Sequence, residues 1–356
     1  MSLLRSLCPS GLYCSTNMSH LWCLSCRLAP NEIAFSTGFS GREYNWFMTT
    51  LRKPSQLLVL IFTAGLSIRA FSQPIPIINS GFESNAISPG AFMVLVPQGW
   101  SIYDPGFIIN QNANSVGVIR PDVPQPYFPT GAPEGAQAAL VFLAGPQNAV
   151  PAGLQQTLAA TLQANRRYRC SVQIGNIASG TSLPGSADGG GVFYNLDGFP
   201  GYRIDLLAGT TVVAVDSNSI GSTIPEGEWR EARFYFDVTN SHPQLGQTLG
   251  IRLVNLKFPG TTNAPNIEVD FDDVRLSSGP IPVAAQLAIS LNNSLASIQL
   301  TGTTGATYRV EHSPVLPATN WIAFTNLAMV SATTNFTDAQ VVATNAARFY
   351  RAVTIE

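Results

Sequence analysis

Between Pro74 and Leu276, apolar and polar residues alternate in short runs, each bounded by Gly, Pro, Asn or Ser. The runs Ala138 to Leu143, Tyr168 to Ile174, Tyr202 to Leu207, Arg230 to Val238, Thr248 to Leu253 and Ile267 to Leu276 all have strand length. A period of two sends successive side chains to opposite faces. The pattern is plainest in Arg230 to Val238, where Ala232, Phe234, Phe236 and Val238 share one face and charged or polar groups take the other. That is a half-buried antiparallel strand. Gly153 to Ala164 can be written as a helix, but Leu154-Gln155-Gln156-Thr157-Leu158 favours a strand. About 200 residues of this kind make one sandwich or barrel, so the expected fold is all-β, a jelly-roll β-sandwich over 73–276.

A turn-rich stretch, Ser277-Ser278-Gly279-Pro280-Ile281-Pro282, lies within an expected linker at 277–284. A smaller β unit comes after it over 285–356, with strands expected at Gln286 to Leu291, Ala296 to Leu300, Tyr308 to His312, Trp321 to Phe324 and Arg348 to Val353. It is a second, small sandwich with little core.

Composition agrees with this class. Only 11% of the 356 residues are charged, against 45% apolar, with 30 Gly and 25 Pro, which suits many short strands and turns. A net charge of −2 argues against nucleic acid as a partner, because phosphate neutralisation needs clustered cations and only Arg166, Arg167 and Arg169 cluster.

The segment 48–72 has the layout of a secretory signal peptide: Arg52 and Lys53, the apolar run Leu57 to Ile68, then Ala70-Phe71-Ser72. The run is too short for a comfortable bilayer span of roughly 20 residues, so cleavage after Ser72 is preferred to a retained anchor. The expected location is therefore secreted or on the bacterial cell surface. Residues 1–47 then form a leader without strand or helix pattern, and Met48 is a candidate start. Cys8, Cys14, Cys23, Cys26 and His20 lie there and look superficially like zinc ligands, but no domain is evident to hold them. The remaining Cys170 has no disulfide partner and shares a strand face with Tyr168, Val172 and Ile174, as a core thiol would.

The long unit opens with Ile77-Ile78-Asn79-Ser80-Gly81-Phe82-Glu83-Ser84 and closes with Val269-Asp270-Phe271-Asp272-Asp273-Val274-Arg275-Leu276. These ends resemble the galactose-binding-like jelly rolls that include many carbohydrate-binding modules. In that family an opening "N-G-x-F-E" strand lies near a closing "D-D-V-x-L" strand, and residues of both often hold a structural calcium ion. Here Ser80 interrupts the Asn-Gly pair. The resemblance implies Glu83, Asp272 and Asp273 as calcium ligands, with a backbone carbonyl near Asn79, and a hard cation would relieve the repulsion among Asp270, Asp272 and Asp273. The alternative is that alternation sends Asp270 and Asp272 to one face and Asp273 to the other, all solvated. Residues 285–356, with Gly305 to Ser313, Asn320-Trp321, Phe336-Thr337-Asp338 and Arg348 to Ala352, resemble a small β module found at the C-termini of secreted proteins from environmental bacteria. That likeness implies attachment or display.

Catalytic signatures are absent from the sequence. Glu134, Asp188, Asp197, Asp205, Glu226 and Glu228 are scattered, His242 and His312 are the only histidines after residue 72, and no G-x-S-x-G, H-E-x-x-H or phosphate loop occurs. Aromatics gather in two loop regions instead: Trp100, Tyr103, Phe107, Tyr127 and Phe128, then Phe193, Tyr194, Phe199 and Tyr202. Exposed rings stack on sugar faces, and Asn195, Asp197 and Arg203 would bond hydroxyls. The opposing possibility is that these rings fill the core. The expected function is non-catalytic glycan binding, with a polysaccharide or cell-surface glycan as partner. A structural or adhesive surface protein without small ligand is the runner-up, and an unrecognised glycan hydrolase the third.

Overall fold

The computed structural model describes residues 73–121, 127–144, 150–292, 295–315, 318–338 and 348–355. The leader at 1–47 and the signal segment at 48–72 lie outside the described residues. The larger part comprises β1 (Gln73–Ile75), β2 (Phe92–Val94), β3 (Ser101–Tyr103), β4 (Ser115–Ile119), β5 (Ala138–Phe142), β6 (Ala152–Thr161), β7 (Arg166–Asn176), β8 (Gly180–Thr181), β9 (Phe193–Tyr194), β10 (Tyr202–Ala208), β11 (Thr211–Ser217), β12 (Glu228–Val238), β13 (Thr248–Asn255) and β14 (Glu268–Pro280). After them come β15 (Gln286–Asn292), β16 (Leu295–Thr301), β17 (Thr307–Ser313), β18 (Ile322–Ala328), β19 (Thr333–Asp338) and β20 (Phe349–Ile355). The protein is all-β; a single 3-10 turn at Gly221–Thr223 is the only helical element among the described residues. The ambiguous stretch after Gly153 is strand, as Leu154 to Leu158 indicates.

Two antiparallel sheets face each other. The larger has the order β12-β7-β14-β5-β4-β2, with β1 paired to the far end of β14, and the smaller runs β11-β10-β13-β6-β3. Alternate residues supply the core between them. Tyr168, Cys170, Val172 and Ile174 of β7, Ala139 and Val141 of β5, and Val269 and Phe271 of β14 meet Tyr202, Ile204 and Leu206 of β10 and Leu249, Ile251 and Leu253 of β13. Each fully buried aliphatic or aromatic side chain contributes on the order of 1.5–3 kcal/mol relative to exposure, which makes this layer the main stabilising element. Cys170 is buried here, and burial, with a smaller effect of Asp216, pushes its thiol up to about 12.

Strand β14 sits at the centre of the larger sheet. Its first half pairs with β5 on one side, and β7 runs along the other side as far as Pro280. The register with β7 shifts between Asp272 and Arg275, where Asp273 sits at φ 48, a left-handed bulge that turns its side chain out of the ladder. The Val274 N–H donates to the Ser80 carbonyl at 3.0 Å, so the opening and closing segments of this body lie side by side.

The C-terminal strands form two three-stranded sheets, β15-β16-β19 and β18-β17-β20. Leu300, Tyr308, Val310 and Met329 pack between them, and the Tyr308 hydroxyl donates to the Val283 carbonyl at 2.7 Å.

Candidate functional site on the outer face of the larger sheet

Strand β5 is apolar on both faces, so the larger sheet has a second buried side. Ala139 and Val141 point into the core, whereas Ala138, Leu140 and Phe142 point outward. On β14 the outward positions are Glu268, Asp270 and Asp272, opposite the core residues Val269 and Phe271. Register places Glu268 beside Phe142, Asp270 between Leu140 and Gly175, and Asp272 beside Gln173. Three carboxyl groups thus line one strand face, and apolar groups surround the Glu268 and Asp270 end of it.

Loops and neighbouring strands roof this face. Tyr127 and Phe128 come from the segment after β4, Ile177 and Leu196 from the chain around the β8–β9 hairpin, Tyr194 from β9, Phe92 from β2 and Trp229 from β12. Phe128 and Trp229 stack with centroids 4.3 Å apart. They do so over Gly175, where an added Cβ would stand 2.7 Å from the Trp229 ring and 2.8 Å from that of Phe128. Glycine is therefore required directly across the ladder from Asp270. The Trp229 indole N–H donates to the Gly131 carbonyl at 3.0 Å, and Tyr194 presents its ring at right angles to Phe92 (5.8 Å) and Phe142 (6.4 Å).

The electrostatics of this face are unusual. Asp270 is 0% exposed, and neither of its carboxyl oxygens has a hydrogen-bond partner. Burial, reinforced by the negative charge of Glu268, holds its pKa well above the ordinary carboxylate range. Burial also pushes Glu268 up to about 8. The Tyr127 hydroxyl, likewise buried and without a partner, is raised by burial first and then by Glu268, Tyr194 and Asp188. Burial thus favours the protonated form of Asp270, the form that donates a hydrogen bond or a proton.

The residues singled out in the sequence scatter. Tyr127 and Tyr194 come together in this aromatic cluster. Trp100 lies in the inter-sheet core, its indole N–H bonded to the Asn79 carbonyl at 3.1 Å and its ring 5.3 Å from Phe82. Tyr103 and Arg203 sit on the smaller sheet, Tyr103 beneath the Arg252 guanidinium at 3.9 Å and Arg203 paired with Asp205 at 2.9 Å. Asn195 is exposed, Asp197 accepts the Ser179 hydroxyl, and Phe199 packs on the core 6.4 Å from Tyr202.

The calcium candidates each have polar partners within the protein. Glu83 accepts the Ala136 and Gln137 amides at 2.7 and 2.6 Å, and Asp272 accepts those of Glu134 and Asp273 at 2.8 and 2.7 Å. Asp273 is ion-paired with Arg275 at 2.6 Å. Burial, with backbone amides opposing and Glu134 and Asp273 adding, pushes Asp272 up to about 8. Among the described residues no three His, Cys, Asp or Glu side chains converge as a ready metal-binding group. Asp270 and Asp272 do share a face, as alternation requires, but that face is buried and not solvated.

Sequence reasoning missed Asp270, Glu268, Phe92, Phe142 and Trp229. The signal was the alternation Glu268-Val269-Asp270-Phe271-Asp272, acids every second residue in a strand whose neighbour β5 is apolar on both faces.

Fold and site together define a two-sheet β-sandwich with an unpartnered acid buried under an aromatic roof. The chain belongs to the HpiC1-like family, described as HpiC1 cyclase, whose model matches residues 73–277. A Stig cyclase, Fisc, from Fischerella sp. TAU, solved with (3Z)-3-(1-methyl-2-pyrrolidinylidene)-3H-indole, is 37% identical over 59% of this chain and 98% of its own, with a TM-score of 0.50. A cyclase from Fischerella sp. TAU solved with 4-(1H-indol-3-yl)butan-2-one is 38% identical over 58% of this chain and 98% of its own, again with a TM-score of 0.50. No curated protein matches the chain. A family 16 carbohydrate binding module is 12% identical with a TM-score of 0.25, a likeness that carries no argument.

These findings correct the carbohydrate reading. The likeness of the strand ends to galactose-binding-like jelly rolls reflected the shared closure of a sandwich and not kinship with carbohydrate-binding modules. The non-catalytic glycan-binding function, the polysaccharide partner and the adhesive alternative fall with it, because the chain is a member of a cyclase family. The physical reason is visible in the rings: Trp100 and Phe199 pack on the inter-sheet core, Tyr103 lies under Arg252 on the smaller sheet, and Tyr127 and Tyr194 join the aromatic cluster on the larger one, so they form no single row for a sugar.

Proposed function

We propose that the body at 73–277 catalyses an acid-assisted ring closure of an indole-bearing substrate held on the outer face of the larger sheet, with Asp270 as proton donor. The observation that carries this reading is the fully buried Asp270 carboxyl with no partner on either oxygen, set among aromatic rings. Kinship with cyclases solved with indole ligands supports the substrate class.

The chemistry balances without a co-reactant. Asp270 delivers its proton to an unsaturated carbon of the substrate side chain. A second π bond supplies the electron pair for the new ring bond, and the resulting cation returns a proton to the Asp270 carboxylate. The product is an isomer of the substrate. The ring faces of Phe128 and Trp229 favour positive charge nearby, and the aromatic roof excludes the water that would trap it. Tyr127, with its free hydroxyl, orients the substrate or product by hydrogen bonding.

The test is to incubate the full chain with a panel of indoles carrying an unsaturated C3 side chain. A product of unchanged mass and new chromatographic retention is expected, and its absence across the panel, with no binding of 4-(1H-indol-3-yl)butan-2-one, overturns the reading.

Two sequence expectations enter the proposal beside this site. The charged-then-apolar segment 48–72 supports export of the protein, checked by finding Gln73 at the N-terminus of secreted material. A structural calcium ion near Glu83 and Asp272 is supported by the like charges of Glu134 and Asp273 around buried Asp272. An unchanged melting temperature after chelation would remove the ion. No step of the ring closure depends on it.

A further inference from the structure

The β8–β9 hairpin reaches the aromatic cluster through one side chain and is held by another. Asp188, exposed at the hairpin tip, accepts the Ser182 hydroxyl at 2.7 Å and the Gly190 amide at 2.9 Å, and its Oδ2 also accepts the Tyr194 hydroxyl at 3.1 Å. Burial works to raise its carboxyl pKa, but the bonds from Ser182, Gly190 and Tyr194 together outweigh it and hold the pKa below the ordinary carboxylate value. The tip can fold this way because Gly189, Gly190 and Gly191 all take positive φ, and a Cβ on Gly190 would stand 2.7 Å from the backbone of Leu183 and Pro184. The tip is tied to β2 as well: the Ala187 amide donates to the Phe92 carbonyl at 2.9 Å, and the Phe92 amide to the Ser186 hydroxyl at 3.3 Å. Phe92 and Tyr194, which meet edge to face, are thus both positioned from this hairpin.

We propose that Asp188 is a positioning residue that sets substrate fit: by holding the Tyr194 hydroxyl at the rim, it fixes the Tyr194 ring edge as one wall of the indole site. The proposal rests on the indole-cyclase reading above. Its chemical content is a division of labour between two tyrosines. Tyr194 has its hydroxyl committed to a charged acceptor and offers the substrate only a ring, whereas Tyr127 keeps a free hydroxyl. A wall fixed by a charged hydrogen bond does not yield to a bulkier or misplaced ligand, so the bond converts an aromatic contact into a selective one.

The experiment is a double-mutant cycle in the full chain, with 4-(1H-indol-3-yl)butan-2-one as probe and urea melts alongside. Asp188→Ala and Tyr194→Phe break the same bond, so each is expected to weaken binding about tenfold and the double variant about tenfold as well. Asp188→Asn, which keeps one acceptor oxygen, is expected to fall between wild type and Asp188→Ala. In turnover the loss appears in KM with kcat nearly unchanged, because the proton donor is untouched. Wild-type binding by Tyr194→Phe beside weak binding by Asp188→Ala would reduce Asp188 to a hairpin builder and overturn the proposal. So would a hundredfold loss in the double variant, which would make the two effects independent. Failure of the wild-type chain to bind the probe would instead strike the indole reading itself, and this proposal with it.

Discussion

Replacing Asp270 by Asn tests the acid in two independent ways. The side chains are nearly isosteric, so the Phe128, Trp229 and Leu140 surroundings are kept while the transferable proton is lost. A positioned general acid contributes typically about 10²–10⁴ in rate, which sets the expected fall in turnover. Stability should move the other way. Folded Asp270 holds its proton far above the ordinary carboxylate range, whereas the unfolded chain releases it near pH 4. Between those limits the folded state binds more protons than the unfolded state, so stability is greatest at low pH and is lost as pH rises. Glu268, raised from 4.5 to about 8, obeys the same rule and gives the scale. At about 1.4 kcal/mol for each tenfold change in proton affinity, such a group costs a few kcal/mol by pH 9. Asp270→Asn removes one of the two penalties. Its melting temperature is expected to match wild type near pH 4 and exceed it at pH 9 by about 5–10 °C, at roughly 2–4 °C per kcal/mol for a body of this size. Thermal melts across pH 4 to 9, with product formation from the indole panel, read both quantities. Wild-type turnover by the variant would refute the proton-donor role, and superimposed melting curves at pH 9 would refute the buried neutral acid.

Three further substitutions or treatments probe the same architecture. Gly175→Ala places a Cβ 2.7 Å from the Trp229 ring and should destabilise by about 1–3 kcal/mol, with a change in Trp229 fluorescence, measured in urea. Tyr127→Phe removes a buried hydroxyl that has no partner, so the fold should gain about 1 kcal/mol while indole binding or turnover weakens; a less stable variant would argue for an unseen partner. Cys170, with its thiol near 12, should resist a thiol-specific disulfide reagent in the native protein and react fully in denaturant, and fast native labelling would contradict its place in the core.

The fold was largely legible because half-buried strands announce themselves by period. Arg230 to Val238 alternates cleanly and became β12, and the ten-residue β6 was already favoured over a helix by Leu154 to Leu158. Strands escaped where no alternation exists. Ser115–Ile119 is buried on both faces, and so carries no polar beat by which to recognise it. The same property hid the site. A strand apolar on both sides, such as Ala138–Phe142, implies a second covered face, but what covers it comes from loops distant in sequence.

The expectation of a solvated face on β14 failed through that gap. Three acids at alternate positions, read locally, mean a solvated edge or a cation, since ionised carboxylates are costly to bury. What reverses the inference is the neighbour on each side. Leu140 and Phe142 flank the acids on β5, and on β7 Gly175 admits the Phe128–Trp229 stack where any larger residue would push it away. Desolvation then favours the protonated form of Asp270 and does not expel it, and a group expected to be solvated is the proton donor of the proposed ring closure. Nothing in residues 268–272 alone distinguishes these outcomes. The distinction lies in a glycine nearly one hundred positions earlier and a tryptophan about forty positions earlier, whose conjunction only the sheet register reveals. An acid of this kind is unstable without its roof. The stability that Asp270→Asn should recover at high pH is therefore a direct measure of how far the fold departs from its own optimum to hold a reactive carboxyl in place.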